Sequence, residues 1–208
     1  ATILSIKPHF TKSIESLTSI LNKNFEPRYC LEKTEYFSNS NINNIEMAYP
    51  MVCFCDIPLS KIKKHIGFYG NYGIGLKKKW GYRKNLSPVI YTRKNARTSK
   101  NLEQMINWSA NLISKERNKD QDELKSIVSD FIMFTKPYFG EIYRKGKIKK
   151  KRFYDEREWR WIPKIIRKDT RMHLTKEEYF NEYLKNKENK IVAEHYTLSF
   201  NPDDISYL

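Results

Sequence analysis

Residues 154–161, Tyr-Asp-Glu-Arg-Glu-Trp-Arg-Trp, constrain the fold more than any other stretch of this chain. Charged and aromatic side chains alternate over its last four residues, and a period of two is typical of a β-strand, whose successive side chains point to opposite faces. Glu156, Glu158 and Arg160 are therefore predicted to share one face, with Trp159 and Trp161 on the other. The chain must accommodate a strand with one polar face and one aromatic face at this position.

Two interpretations of the carboxylate pair stay open at this point. Glutamates two residues apart on a strand can form cross-strand ion pairs at a solvated sheet edge, where such pairs contribute little to stability. They can also line a catalytic cleft, where one carboxylate stabilises developing positive charge and the other acts as a general base. The first interpretation makes Glu156 and Glu158 structural, and the second makes them catalytic.

The composition describes one folded domain. Aromatic residues make up 14% and hydrophobic residues 39% of the 208 residues, which is enough for a core and excludes a disordered chain. We expect a single domain over residues 1–208, with a helical insertion at about residues 100–136. No apolar run approaches the roughly 20 residues of a membrane span, and the start of the chain lacks a secretory-signal pattern. We therefore expect a cytoplasmic protein with no membrane partner.

The charge of the chain favours polyanionic partners. The net charge is +15, and lysine and arginine side chains displace counterions from phosphate backbones. Seven of the nine residues from 144 to 152 are basic, which predicts an exposed hairpin or loop. Its candidate surface for nucleic acid or a partner protein consists of Lys145, Lys147, Lys149, Lys150, Lys151 and Arg152. The alternative, of similar weight, is that the lysine surplus reflects an AT-rich genome.

Neither the cysteines nor the histidines follow a metal-binding pattern. Cys53 and Cys55 are closer than the usual zinc-ligand spacing of about two to four intervening residues. The four histidines are scattered along the chain. We therefore expect reduced, mostly buried thiols and no metal cofactor.

Short strands and amphipathic helices alternate irregularly along the chain. Ser13 is placed to cap a first helix, and a last strand is expected to begin near Asp204. Further strands are expected at about residues 3–9, 49–59, 87–91 and 191–200. This pattern predicts an α+β fold with a mostly antiparallel split sheet and flanking helices.

Apolar stripes at helical spacing predict two helices between residues 100 and 136. The stripe of the second helix includes Ile127, Val128 and Phe131, and it is expected to face the core. Thr175 and Glu178 form a capping box for a later helix that ends at about residue 187.

Three separated signals resemble the arrangement found in ADP-ribosyltransferase-type domains. They are His9-Phe10-Thr11 near the end of the first strand, the Tyr69 and Tyr72 segment rich in glycine, and Glu158 on the late strand. The resemblance implies an ADP-ribosyltransferase-like fold with NAD as the cofactor. Glu158 would then stabilise the oxocarbenium-like ribose as nicotinamide leaves, and Glu156 would activate or orient the nucleophile.

The same resemblance implies roles for the remaining residues of the arrangement. His9 and Thr11 would hold the adenosine-side ribose, and Tyr69 or Tyr72 would stack on nicotinamide. Arg160 would orient one of the carboxylates or bind a phosphate. Each signal also has a structural interpretation: a histidine at a strand end often satisfies backbone hydrogen bonds, and tyrosines beside glycines often pack.

A closer resemblance covers most of the chain. It rests on His-Phe-Thr-Lys at 9–12, Phe-Glu-Pro-Arg-Tyr-Cys at 25–30, Tyr-Gly-Asn-Tyr-Gly-Ile-Gly-Leu at 69–76, and on residues 17–21, 50–60, 80–81 and 153–161. These residues resemble bacterial abortive phage infection proteins of the AbiGi type. The resemblance implies a role in phage defence and a cognate toxin or antitoxin as partner, because members are described as the antitoxin-like half of a pair.

Two functions are consistent with these features. The first is an NAD-consuming transferase or glycohydrolase, in which His9, a tyrosine and Glu158 meet in one cleft. The second is a non-catalytic antitoxin or regulator that binds a toxin or nucleic acid through the lysine-rich surface. Whether the protein is an enzyme stays open on the sequence alone.

Overall fold

The computed structural model describes residues 6–37, 46–58, 61–113, 119–144 and 147–208. The start of the first predicted strand and Lys145 lie outside the described residues. Two compact units make up the chain. The first contains Ala1–Leu31, Met47–Pro88 and Glu156–Leu208, and the second contains Glu32–Glu46 and Val89–Asp155.

The first unit contains two antiparallel sheets. In one, β4 (Tyr72–Lys77) lies between β1 (Ile6–Thr11) and β12 (Ile205–Tyr207). In the other, the long strand β3 (Glu46–Cys55) lies between β10 (Glu158–Trp161) and β11 (Leu174–Thr175). Strand β2 (Arg28–Lys33) also pairs with β3, and β5 (Ser87–Pro88) pairs with β10. The predicted last strand near Asp204 is confirmed by β12.

Five helices in the described part of the first unit flank these sheets. They are α1 (Ile14–Lys23), α2 (Lys63–Tyr69), α3 (Lys78–Arg83), α6 (Lys176–Phe180) and α7 (Glu182–His195). The Ser13 hydroxyl accepts a hydrogen bond from the Ser16 amide at 3.2 Å, which confirms it as the cap of α1. The Thr175–Glu178 capping box at the start of α6 is confirmed as well.

The predicted strand at residues 191–200 is wrong, because α7 continues through His195. The apolar residues at the start of this stretch suit a buried helix as well as a strand. Val192 is fully buried from α7 against Tyr29, Ala48 and Leu174, so tertiary packing decides the conformation.

The main core of the first unit is aromatic. The ring of Phe54 lies 5.5 Å from that of Trp80 and 5.1 Å from that of Phe25, measured between centroids. Trp80 is fully buried, and its indole N–H donates to the Ser199 carbonyl at 3.1 Å. Ile74 and Leu76 of β4 join this cluster, which therefore links the two sheets.

The second unit combines two helices with two small sheets. Its helices are α4 (Arg97–Ile113) and α5 (Lys119–Met133). In one sheet, β6 (Ile90–Thr92) pairs in parallel with β7 (Thr135–Pro137). In the other, β8 (Phe139–Arg144) forms an antiparallel hairpin with β9 (Lys147–Arg152). The two helices predicted between residues 100 and 136 are confirmed. The single-domain organisation and its insertion stay predictions.

The predicted core stripe of α5 is only partly correct. Val128 is buried, whereas Ile127 and Phe131 are exposed. Apolar periodicity identifies the helix but does not determine how much of its stripe a neighbour covers. A mixed fold with antiparallel sheets and seven α-helices in the described ranges agrees with the predicted α+β class. Among these residues, no helix has both the length and the apolar character to cross a bilayer.

Candidate functional site

The late strand β10 carries a buried ion pair. Arg160 Nε donates to Glu158 Oε1 at 2.7 Å; Glu158 is 6% exposed and Arg160 is fully buried. In the register with β3, Glu158 lies opposite Cys55 and Arg160 opposite Cys53. Directly opposed residues of an antiparallel pair share a face, so these four side chains form one polar face of the sheet.

The other face of the same strand pair is aromatic and apolar. Trp159 lies opposite Phe54 and Trp161 opposite Val52, and all four pack in or against the main core. The alternation predicted from the sequence is therefore confirmed from Glu158 onward. It places the ion pair and the aromatic core on opposite sides of β3 and β10.

Glu156 does not lie on this strand, contrary to the sequence-based prediction. It ends a short 3-10 helix, Phe153–Glu156, and Arg157 has a positive φ of 43° that interrupts the alternation before β10. The Glu156 side chain is buried and accepts a hydrogen bond from the hydroxyl of Tyr69. Glu156 is thus held by Tyr69, whereas Glu158 contacts Arg160.

Tyr69 ends α2, and the turn after it requires glycine. Gly70 has φ of 129°, and a Cβ there would overlap the carbonyl group of Thr11. The ring of Tyr69 lies 4.7 Å from that of His65, which in turn lies 5.6 Å from that of Phe10. Tyr69 is thus fixed on the face of β1 to which Phe10 points.

His9 points to the opposite face of β1. Its Nδ1–H donates to the Cys53 carbonyl at 2.8 Å, and its ring lies 5.1 Å from Phe25 and 5.7 Å from Phe54. Burial lowers the pKa of His9 below its ordinary value, so the ring is neutral. The histidine is a hydrogen-bonded member of the aromatic core.

Thr11 and Tyr72 are paired across β1 and β4. Side chains alternate along β1, so Thr11 and Tyr72 share the face of His9. Tyr72 is exposed and Thr11 is partly buried. The two tyrosines of the predicted arrangement therefore lie on different faces of this sheet.

Three contacts hold most of the predicted residues. Tyr69 pairs with Glu156, Glu158 pairs with Arg160, and His9 contacts the backbone of Cys53 on the aromatic side. The ring of His9 and the Glu158 carboxylate lie on opposite faces of the sheet that contains β3 and β10. The roles that the ADP-ribosyltransferase arrangement assigns to them stay predictions.

The polar face also contains a pair of thiols. The pKa of the Cys53 thiol lies well above its ordinary value, because it hydrogen-bonds to the Cys30 thiol, is buried and faces the negative charge of Glu158. The Cys55 thiol donates to the Pro8 carbonyl at 3.5 Å. A raised pKa keeps Cys53 protonated, which makes it a poor nucleophile. Among the described residues, no three His, Cys, Asp or Glu side chains form a group that could hold a metal ion.

The lysine-rich surface corresponds to β9. Lys149, Lys150 and Arg152 are exposed, Lys151 is partly buried, and Lys147 begins the strand. Arg152 Nε donates to Asp155 Oδ1 at 2.7 Å. The aromatic residues beside this strand were not predicted from the sequence. The pairs Tyr138-Phe139 and Phe153-Tyr154, which lie next to the basic stretch, were the available signal.

Acidification is expected to destabilise the protein through His9. Its pKa is lower in the folded state than in the unfolded chain, where it is about 6.5, so the unfolded chain takes up the proton first as the pH falls. The contribution of neutral His9 to the free energy of unfolding is complete above about pH 6.5 and is lost as the pH falls below that value. We expect His9→Gln, which keeps a donor for the Cys53 carbonyl, to flatten this pH dependence of the unfolding free energy. Urea unfolding between about pH 7.5 and 5.5 measures both slopes, and equal slopes would contradict the assignment.

Comparison with known proteins gives one consistent result. Residues 23–208 match the model of a family described as "Putative abortive phage resistance protein AbiGi, antitoxin". The abortive phage resistance protein AbiGi of Lactococcus lactis subsp. cremoris is 29% identical over 210 residues, which cover 88% of this chain and 81% of that protein. No solved structure matches the chain, so the ADP-ribosyltransferase-like fold stays a prediction.

Proposed function

Because the chain belongs to the AbiGi family of abortive phage resistance proteins, we propose that it is a non-catalytic antitoxin that neutralises a partner toxin. The observation that carries this proposal is the buried ion pair of Glu158 and Arg160. A carboxylate that stabilises a reacting sugar needs an oxygen that substrate can approach, whereas Glu158 is 6% exposed and bonded to a fully buried guanidinium. The description of the family as an antitoxin supports the same conclusion.

Glu156, the second candidate carboxylate, has a structural role in this proposal. Glu156 accepts a hydrogen bond from the Tyr69 hydroxyl, and this contact joins the segment before β10 to the end of α2. A buried carboxylate with a hydrogen-bond donor is a satisfied structural group. Neither glutamate then needs a substrate to explain its burial.

Neutralisation in cells tests the antitoxin role directly. The cognate toxin is expressed from an inducible promoter with and without this chain, and growth is followed. We expect the chain to restore growth, and Glu156→Gln to restore it equally, because glutamine keeps an acceptor for Tyr69. Loss of neutralisation in a Glu156→Gln protein that unfolds at the wild-type urea concentration would contradict a purely structural role.

An NAD-consuming activity is the second candidate function, and one observation favours it. Glu156 and Glu158 are both buried, and buried carboxylates with charged partners are enriched at functional sites. In that case Glu158 would face the ribose and Glu156 would lie beside the nucleophile. The residues that would contact the cofactor are His9, Thr11, Tyr69, Tyr72 and Arg160. This candidate would make the protein a transferase or glycohydrolase.

Release of nicotinamide separates the two candidates. The purified protein is incubated with labelled NAD, with and without cell extract. The antitoxin proposal expects no release above the blank. Release that stops in a Glu158→Gln protein with the circular dichroism of the wild type, and continues in Glu182→Gln, a substitution of an exposed glutamate on α7, would establish the NAD activity and overturn the antitoxin proposal.

A further inference from the structure

A connected group of aromatic rings lies beside the β8–β9 hairpin. The ring of Tyr138 stacks on that of Tyr154, with centroids 5.3 Å apart and an interplanar angle of 20°. Phe139 contacts Tyr138 at 4.8 Å, and Tyr91 contacts Tyr154 at 5.5 Å. Phe139 is 61% exposed and Tyr154 is 46% exposed. Large aromatic surfaces exposed side by side are unusual on a protein surface without a ligand.

Basic side chains lie on the same face of the hairpin as Phe139. Arg152 is directly opposite Phe139 in the register, and Lys150 is opposite Glu141 one pair further along that face. The pKa of Arg152 lies above its ordinary value, chiefly because of Asp155 and to a smaller extent because of the Tyr138 hydroxyl, so its guanidinium lies near the aromatic group. Asp155 and Glu141 offset the charges of Arg152 and Lys150, and Lys149 and Lys151 on the other face of β9 leave this strand with an excess of positive charge.

We propose that Phe139, Tyr154, Lys150 and Arg152 form a platform that binds single-stranded nucleic acid. Unpaired bases stack on exposed aromatic rings, and the phosphates that connect them bind neighbouring lysine and arginine side chains. The β8–β9 hairpin provides an exposed ring at Phe139 and cations at Lys150 and Arg152. The net charge of the protein is +15. RNA and DNA share this chemistry.

Single strands fit the platform better than two other anionic partners. The bases of a duplex are stacked on one another inside the helix, so exposed rings would gain nothing from it beyond charge attraction. An acidic protein would pair with the basic groups but offers fewer π-faces to stack on Phe139 and Tyr154. The arrangement of exposed rings next to cations therefore selects a ligand with planar groups and regularly spaced negative charge.

Fluorescence anisotropy with short oligonucleotides tests the platform. The probes are fluorescein-labelled oligouridylate and oligothymidylate of about 12 nucleotides, within the site size of known single-strand modules, and a duplex of the same length. We expect the full chain to bind a single strand more tightly than the duplex. The tighter of the two single strands identifies RNA or DNA as the source.

Substitutions at exposed positions separate stacking from charge. Phe139→Ala is expected to weaken binding of the single strand about tenfold, and Phe139→Trp to preserve it. Lys150→Gln should lower the slope of log affinity against log salt by about 0.7. Tyr183→Ala and Lys190→Gln, which change exposed residues of α7, are the matched controls and should alter neither quantity.

Four results would contradict the proposal that the platform binds single-stranded nucleic acid. They are no binding at low salt, equal affinity for the duplex, an equal loss in Phe139→Ala and Tyr183→Ala, and displacement of the probe by poly-glutamate as effectively as by unlabelled oligouridylate. The last result would assign the surface to an acidic protein. Because Phe139 and Tyr183 are exposed, their substitution leaves the fold intact, and circular dichroism of each variant verifies this.

Discussion

Replacing Glu158 with alanine is expected to lower the free energy of unfolding by about 3–5 kcal/mol. The change leaves the guanidinium of Arg160, which is fully buried, without the carboxylate that its Nε contacts at 2.7 Å. A buried charge that loses a counter-charge keeps the cost of its desolvation and loses the attraction that offset it. Urea unfolding followed by circular dichroism measures the loss.

A double substitution separates the cost of a broken pair from the value of the intact one. Replacing both residues with apolar ones, as in Glu158→Leu with Arg160→Met, is expected to cost less than Glu158→Ala alone, because no charge is then left buried. Glu182→Ala is the control: its carboxylate is exposed and 3.6 Å from Lys185, so the expected change is within about 0.5 kcal/mol. A Glu158→Ala loss as small as this control would show that the pair is solvated.

Removal of the Trp80 side chain is expected to have a second large effect. Trp80→Ala should lower the free energy of unfolding by about 3–5 kcal/mol, because it opens a cavity at the centre of the aromatic cluster and removes the hydrogen bond to Ser199. Trp108→Ala changes an exposed tryptophan of α4 and should cost within about 0.5 kcal/mol. Similar losses in the two variants would contradict the burial of Trp80.

The sequence predicted local structure best where a short motif determines it. Ser13 and the Thr175–Glu178 box mark helix starts, because each side chain satisfies a backbone N–H within the next turn. The alternation from Glu158 to Trp161 predicted which side chains share a face for an equally local reason. It failed at Glu156, because the positive φ of Arg157 breaks a pattern that the residue types alone continue.

Structural features that depend on contacts between residues distant in sequence were predicted less well. Residues 191–195 are helical because Val192 packs against Tyr29 and Leu174, and no local sequence pattern indicates this contact. Ile127 and Phe131 are exposed although their stripe suits a core. The candidate site shows the same limit: the sequence named Glu156, Glu158, His9 and Tyr69, but only the register and the ring contacts assign them to different faces and partners.

The position of β12 bears on how this protein is made in the cell. This strand pairs Ile205 with Leu76 at one edge of β4, whereas β1, which precedes β4 in the chain, pairs with its other edge. A nascent polypeptide on the ribosome therefore exposes an open edge of β4 until Ile205–Tyr207 have left the exit tunnel. Truncated products that stop before these residues would lack β12 and keep this edge exposed, so they are natural targets for proteolysis.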